Sequence, residues 1–372
     1  MRSIKNCKRV VIKIGSRIIA SRGVGLNKSR IEELAEEIAR LKTGGIEVVL
    51  VSSGAILAGM EKLGLKERPK SIPLKQAAAA AGQSQLMWLY EKTFKTHKIP
   101  VAQILLTGED LADRKRFLNS RNTFFALFDH QVIPIVNEND TVSFDEIKFG
   151  DNDHLAALVT NLIDAQLLII LTDVDGLFTA DPRIDPEARL LSEVVEITDE
   201  IERNARGSGT LEGTGGMRSK IDAAKKVGAY GVQTLLLNGT VSGNLTQAFA
   251  GKKIGTLFHL KGEKLTSRKH WIAFSIKSKG EIYLDEGAST ALVHRGRSLL
   301  PSGITSVEGN FMAGDAVNCL NRDGKEIAKG LVNYPAHEIN QIKGIKTTDI
   351  EKVLGYKFAD EVIHRNNLVL LD

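Results

Sequence analysis

Cysteine, proline and aromatic residues are scarce in this chain. The two cysteines, Cys7 and Cys319, lie in different halves and in no CxxC or Cys/His cluster, which excludes a disulfide framework and a thiolate metal site. Both are expected to pack as small apolar side chains. The eight histidines are scattered, so no histidine-based catalytic or metal centre is expected. No apolar run approaches the roughly 20 residues of a membrane span, and none follows the opening MRSIKNCKRVVIKIG. A cytoplasmic protein with no membrane partner is expected. No GxxxxGK[ST] phosphate loop occurs. With 8 prolines and 42% hydrophobic residues, the 372-residue chain is too apolar to be disordered and long enough for two packed domains.

The net charge is +5, which raises the question of nucleic acid. The charge is not concentrated: 16 Lys and Arg stand against 14 Asp and Glu from residue 259 onward, and 34 against 31 before it. Electrostatic binding to phosphates needs basic side chains gathered on one surface, and neither part demands one.

Short β-branched runs alternate with helical segments. KRVVIKI (8–14), IEVVLV (46–51), VAQILL (101–106), VIPIV (132–136), LLIIL (167–171) and VQTLLL (232–237) read as buried strands of a mostly parallel sheet. Between the first two, NKSRIEELAEEIARLKTGG opens on an Asn cap, keeps helical apolar spacing and ends in glycines. The alternation predicts an α/β fold, a three-layer αβα sandwich. Ligands of such sheets bind beyond the C-terminal ends of the strands. Met87, Trp88 and Tyr90 fall in a long helical pattern and read as core or subunit contact. KLGLKERPK (62–70) reads as a solvated link.

The segments after four strands are rich in glycine and small polar residues: KIGSR, SSGAILAG, NENDTV and TDVDGLFTADPR. Lys13 lies beside Gly15 at a strand end, where a cation can meet phosphate while glycine lets backbone N–H groups approach. SSGAI then opens a helix whose exposed N–H groups suit an anion. A later stretch, GTLEGTGGMRSK (209–220), again runs from glycine-rich loop into helix, with Lys220 on the first turns. Taken singly, these are tight turns or solvated loops. Together they give two lysines and several amide-rich turns, a set that can neutralise a transferring phosphoryl group without a Walker motif.

VVIKIGS, VSSGAILAG, GQSQLMWLYE, QILLTGEDL, FLNSRNT, IPIVNENDTV, KFGDNDHLAALVT, LLTDVDGLFTADPR and GTGGMRSKIDAA, in this order over residues 8 to about 258, resemble the motif series of the glutamate 5-kinase family of the amino-acid kinase superfamily. The stretch from roughly 276 to 355, beginning GEIYLDEGAST, resembles the β-rich PUA domain that follows the kinase domain in many bacterial members. The expected organisation is a catalytic domain over 1–260, a linker over 261–275, and a PUA-like domain with C-terminal tail over 276–372.

The resemblance implies that ATP, with Mg2+ bound to it, phosphorylates the γ-carboxylate of L-glutamate, the first step of proline synthesis. The chemistry fits. A carboxylate is already ionised at pH 7 and needs no general base, so the task is to relieve repulsion between two anions. By the same resemblance Lys13, Lys220 and Asp153 form the catalytic group. The lysines meet the ATP phosphates, and Asp153 holds them in position, a role compatible with that of a helix N-terminal charge. Thr172, Asp173 and the run Thr214, Gly215, Gly216, Met217, Arg218, Ser219 and Lys220 match the nucleotide pocket. Ser53, Asp140 and Asn152 match substrate-contacting positions. An α-ammonium asks for a carboxylate such as Asp140, and an α-carboxylate for hydroxyl and amide donors. No protein-held metal is expected. The first loop departs from the family pattern, because Arg17 stands where small hydroxyl residues are usual.

The resemblance further implies feedback by proline, acting near TVSFDEIKFG (141–150), and a homodimer or tetramer. No reductase segment follows, so a separate glutamyl-phosphate reductase is expected to take the acyl phosphate. Two other readings stay open: a sibling kinase with another acceptor, and RNA binding through the PUA domain, against which the even charge count stands.

Overall fold

The computed structural model describes residues 4, 7–21, 23, 25–143, 152–207, 216–260, 272 and 276–371. It forms two compact units, Met1–Lys264 and Leu265–Asp372.

The first unit runs β1 (Arg9–Ile14), α1 (Ser16–Ile19), α2 (Lys28–Thr43), β2 (Glu47–Ser52), α3 (Ala55–Lys62), α4 (Ile72–Thr96), β3 (Val101–Leu106), α5 (Gly108–Ala112), α6 (Arg114–Asp129) and β4 (Ile133–Glu138). It continues through α7 (Asn152–Leu162), β5 (Leu167–Thr172), β6 (Leu177–Phe178), β7 (Leu190–Leu191), β8 (Glu193–Val194), α8 (Asp199–Gly207), α9 (Met217–Gly228), β9 (Gln233–Asn238), α10 (Asn244–Phe249) and β10 (Thr256–Phe258). Eight strands form one sheet in the order β3-β4-β2-β1-β5-β9-β10-β8, parallel except where β10 meets β9. The six expected strands are its six long members. The two- and three-residue strands, too short to show a period, went unread in the sequence.

Strand alternation sorts β1 between two layers. Val10, Ile12 and Ile14 join Ile31, Leu34 and Ile38 of α2, Tyr90 of α4 and Leu245 of α10 in one core. Val11 and Lys13 face the opposite layer, where α7 and α9 pack. The side chain of Asn27 caps α2 by accepting from Arg30 N at 3.1 Å, and the helix closes at Gly44, as the sequence predicts. The helices α3 and α4 touch through bare backbone: a methyl group on Gly82 would run into the carbonyl oxygen of Ala55, and one on Gly59 into that of Ala78. Of the aromatic and sulfur trio on α4, Tyr90 is buried, Met87 half-buried, and Trp88 faces outward with Lys92 Nζ 5.2 Å from its ring centre.

The chain leaves β1 toward β2 on one side and leaves β5 toward β9 on the other, although β1 and β5 are neighbours. Their C-terminal ends therefore border a crevice, the position at which ligands of open α/β sheets bind. The four marked loops follow β4, β2, β1 and β5, which are consecutive in the sheet. They meet at one edge, as expected.

The second unit holds β11 (Gly280–Leu284), β12 (Ile304–Gly309), β13 (Ala316–Leu320), β14 (Glu326–Leu331) and β15 (Leu368–Leu370), ordered β12-β11-β13-β14-β15 and antiparallel except for β11 beside β13. Cys319 lies in its core with Val317, Tyr334 and Ile363, and burial pushes the thiol up to about 12. Cys7 packs at the margin of the first unit's core. Both cysteines are packing residues. No described helix is long and apolar enough to cross a membrane.

Candidate active site at the ends of β1, β2, β4 and β5

Two lysines from distant segments meet on one carboxylate. Lys13 Nζ lies 2.5 Å from Asp153 Oδ1, and Lys220 Nζ lies 3.1 Å from Asp153 Oδ2. Asp153 has no exposed surface, and Lys13 and Lys220 are 2% and 6% exposed. Pleat alternation aims Lys13 at the layer where α7 supplies Asp153 in its first turn and α9 supplies Lys220. Ser219 completes the joint, its hydroxyl lying 2.8 Å from Asp153 Oδ2 and 2.8 Å from the carbonyl of Gly216, either of which can accept its one proton. Lys220 Nζ also donates to Gly216 O at 3.3 Å. The two buried ammonium groups bring positive charge where the dielectric is low, a setting that favours an incoming anion.

The neighbouring residue organises a second group. Asn152 Nδ2 lies 3.0 Å from Ser53 Oγ, 3.1 Å from the carbonyl of Ser52 and 2.9 Å from Asn137 Oδ1, three acceptors for its two N–H donors. Asn137 in turn donates to Gln83 Oε1 at 2.8 Å, and the Ser52 hydroxyl pairs with Tyr90 OH at 2.7 Å. Burial pushes the Tyr90 phenol up to about 12 despite that bond. The ends of β2 and β4, the start of α7 and the middle of α4 are thereby locked in register. Asn137, Gln83 and Tyr90 are not among the expected site residues, although all three stand inside the quoted motifs IPIVNENDTV and GQSQLMWLYE. Asp140 occupies the turn after β4, where burial first and the Glu138 charge second raise its carboxyl to about 6.

Thr172 and Asp173 close β5. Thr172 is buried, its carbonyl accepts from Gly239 N at 2.8 Å, and its hydroxyl donates to Asp173 Oδ1 at 3.2 Å. Arg17 Nη1 reaches Asp173 Oδ2 at 3.0 Å across the crevice. Burial works against the charge on Asp173, yet the Arg17 guanidinium and the Thr172 hydroxyl hold its carboxyl below the ordinary value. Met217 is half-buried, and Arg218 is exposed with Asp222 at 3.6 Å. Thr214 and Gly215 lie outside the described residues, as does 144–150 of the segment assigned to feedback.

His154 follows Asp153. Its Nδ1 stands 2.5 Å from Lys226 Nζ, and burial, then the ammonium, lowers its pKa to about 4. Such surroundings keep the ring neutral at pH 7.

A cationic pair on a buried carboxylate thus lies at the switch point of a parallel sheet, an arrangement suited to an anion. The model of the amino acid kinase family matches residues 8–238, and that of the PUA domain matches 280–354. The chain is 54% identical to the glutamate 5-kinase of Geobacter sulfurreducens over 99% of both chains, and 51% identical to that of Caldanaerobacter subterraneus subsp. tengcongensis over 98% of both. A solved UMP kinase of Bacillus anthracis superposes with a TM-score of 0.47 at 16% identity, covering 68% of this chain and 96% of that one. The chain therefore belongs to the amino acid kinase family, in its glutamate 5-kinase branch.

Proposed function

We propose that the protein transfers the γ-phosphoryl group of ATP to the γ-carboxylate of L-glutamate, giving L-glutamyl 5-phosphate and ADP in the first step of proline synthesis. The observation that carries the reading is the attachment of Lys13 and Lys220 to the two oxygens of a single buried carboxylate, Asp153. The glutamate oxygen attacks the terminal phosphorus, and the bond to the ADP oxygen breaks. No proton moves, because the nucleophile enters ionised. The barrier is electrostatic and falls when positive groups already face the transferring oxygens. Lys13 and Lys220 are those groups, and Asp153 holds them apart from each other and aimed inward. The lysines fit phosphate and not a cation, so Mg2+ would enter bound to the nucleotide and would supply further charge neutralisation.

Asn152 and Ser53 are the donors we assign to the amino acid's α-carboxylate, and Asp140 the acceptor for its ammonium group. Thr172, Asp173 and the run from Thr214 to Lys220 are assigned to the nucleotide. Proline carries the same ammonium and carboxylate, so we place its inhibitory action at these contacts.

The test is an assay of ADP release and hydroxamate formation with ATP and a panel of glutamate, aspartate, acetate, carbamate and UMP. Turnover is expected with glutamate, and Lys220→Ala is expected to lower it at least a hundredfold, the scale of losing one preorganised charge contact. Turnover with another acceptor and none with glutamate would overturn the reading.

A further inference from the structure

We propose that Arg17 is a nucleotide-contacting residue of this chain, which exchanges its contact with Asp173 for the terminal phosphates of a nucleoside triphosphate and so favours triphosphate over diphosphate. The inference rests on the phosphotransfer reading above and assigns a residue within that site.

Arg17 belongs to the turn that leaves β1, two residues beyond Gly15. That turn lies close to the catalytic lysine: a methyl group on Gly15 would come 4.0 Å from Lys13 Nζ. Asp173 belongs to the turn that leaves β5. The guanidinium thus spans the two strand ends that border the switch-point crevice, with Nη1 3.0 Å from Asp173 Oδ2.

The pair is built to exchange. The Arg17 side chain is 54% exposed and that of Asp173 is 37% exposed, and an ion pair so open to water adds little to stability. The contact to Asp173 Oδ2 is made through Nη1, whereas the guanidinium fork can match two phosphate oxygens at once. A triphosphate also carries more negative charge than one carboxylate. Arg183, paired with Asp181 at 2.7 Å, also feels the charge of Asp173, though less than that of Asp181. Lys13, Lys220 and Arg17 would then approach the phosphates from three sides, Arg17 alone coming from solvent.

Nucleotide binding to the full chain, read by calorimetry without glutamate, tests the assignment. Arg17→Ala is expected to weaken ATP binding about tenfold and ADP binding less than threefold, with the thermal midpoint unchanged. Arg17→Lys, which keeps the charge and loses the fork, is expected to fall between. Equal weakening toward ATP and ADP, or none toward either, would overturn the role of Arg17 while leaving phosphotransfer in place. Failure of the unaltered protein to bind ATP would overturn both.

Discussion

Lys13 and Lys220 stand on opposite oxygens of one carboxylate, that of Asp153, at 2.5 and 3.1 Å. The three side chains come from β1, α7 and α9, so the joint is structural as well as chemical. Removing one partner from a buried charge network leaves the others uncompensated, at a cost of about 3–5 kcal/mol. Asp153→Asn keeps the shape and deletes the charge. It is expected to lower stability by about 3 kcal/mol in urea unfolding and turnover by at least a hundredfold. An enzyme with near-normal turnover would show that the lysines hold their places without it.

The long buried strands were legible in the sequence because a parallel strand covered on both faces reads as an unbroken apolar run. Lys13 was conspicuous as the charge within such a run. Its meeting with Lys220 was not local information, and it entered through the motif resemblance. The amide chain from Gln83 through Asn137 to Asn152 stayed hidden for a physical reason: neutral amides carry no charge signature, and their partners lie 54 and 15 residues apart. The strands β6, β7, β8 and β10 hold two or three residues each, too few to express a period of two. Arg17 stood out only as a departure, and its partner Asp173 became visible when the fold set β1 beside β5.

Asp140 gives the site a pH signature. Its carboxyl is raised to about 6 by burial and then by Glu138, whereas the unfolded chain keeps the ordinary value of 3.8. Between those values the folded state holds the extra proton, so this group makes stability fall as pH rises from about 4 to 6. Binding runs the other way. An ammonium group pairs with the ionised form, so the KM for glutamate should rise about tenfold per pH unit below about 6 and level off above it. Asp140→Asn is expected to raise KM at neutral pH and to flatten the profile. A slope that survives this substitution would remove Asp140 from ammonium recognition.

The contact between α3 and α4 makes a prediction about stability alone. Alanine normally improves on glycine inside a helix by roughly 1 kcal/mol, but a methyl group at Gly82 collides with the backbone of Ala55. Backbone cannot swing aside as a side chain does, so Gly82→Ala is expected to destabilise by about 2 kcal/mol or more. Gly108→Ala is the control, since nothing lies within 4 Å of the added atom. It should be neutral or slightly stabilising. Chemical denaturation of the pair checks the sign, and equal behaviour of the two would mean that the helices separate at no cost.

Proline offers the last discrimination, because it shares glutamate's α-ammonium and α-carboxylate and lacks the γ-carboxylate that attacks phosphorus. If it binds through Asp140, Asn152 and Ser53, it excludes glutamate and leaves the triphosphate free to enter. Initial rates should then show competition against glutamate and none against ATP, with full recovery at saturating glutamate. Asn152→Ala removes the donor that reaches Ser53 Oγ at 3.0 Å and Asn137 Oδ1 at 2.9 Å. It is expected to weaken glutamate and proline by similar factors, about tenfold each, because a hydrogen bond to a charged group contributes about 1.5–3 kcal/mol. Proline inhibition that persists undiminished while the glutamate KM rises would place the inhibitor on other residues.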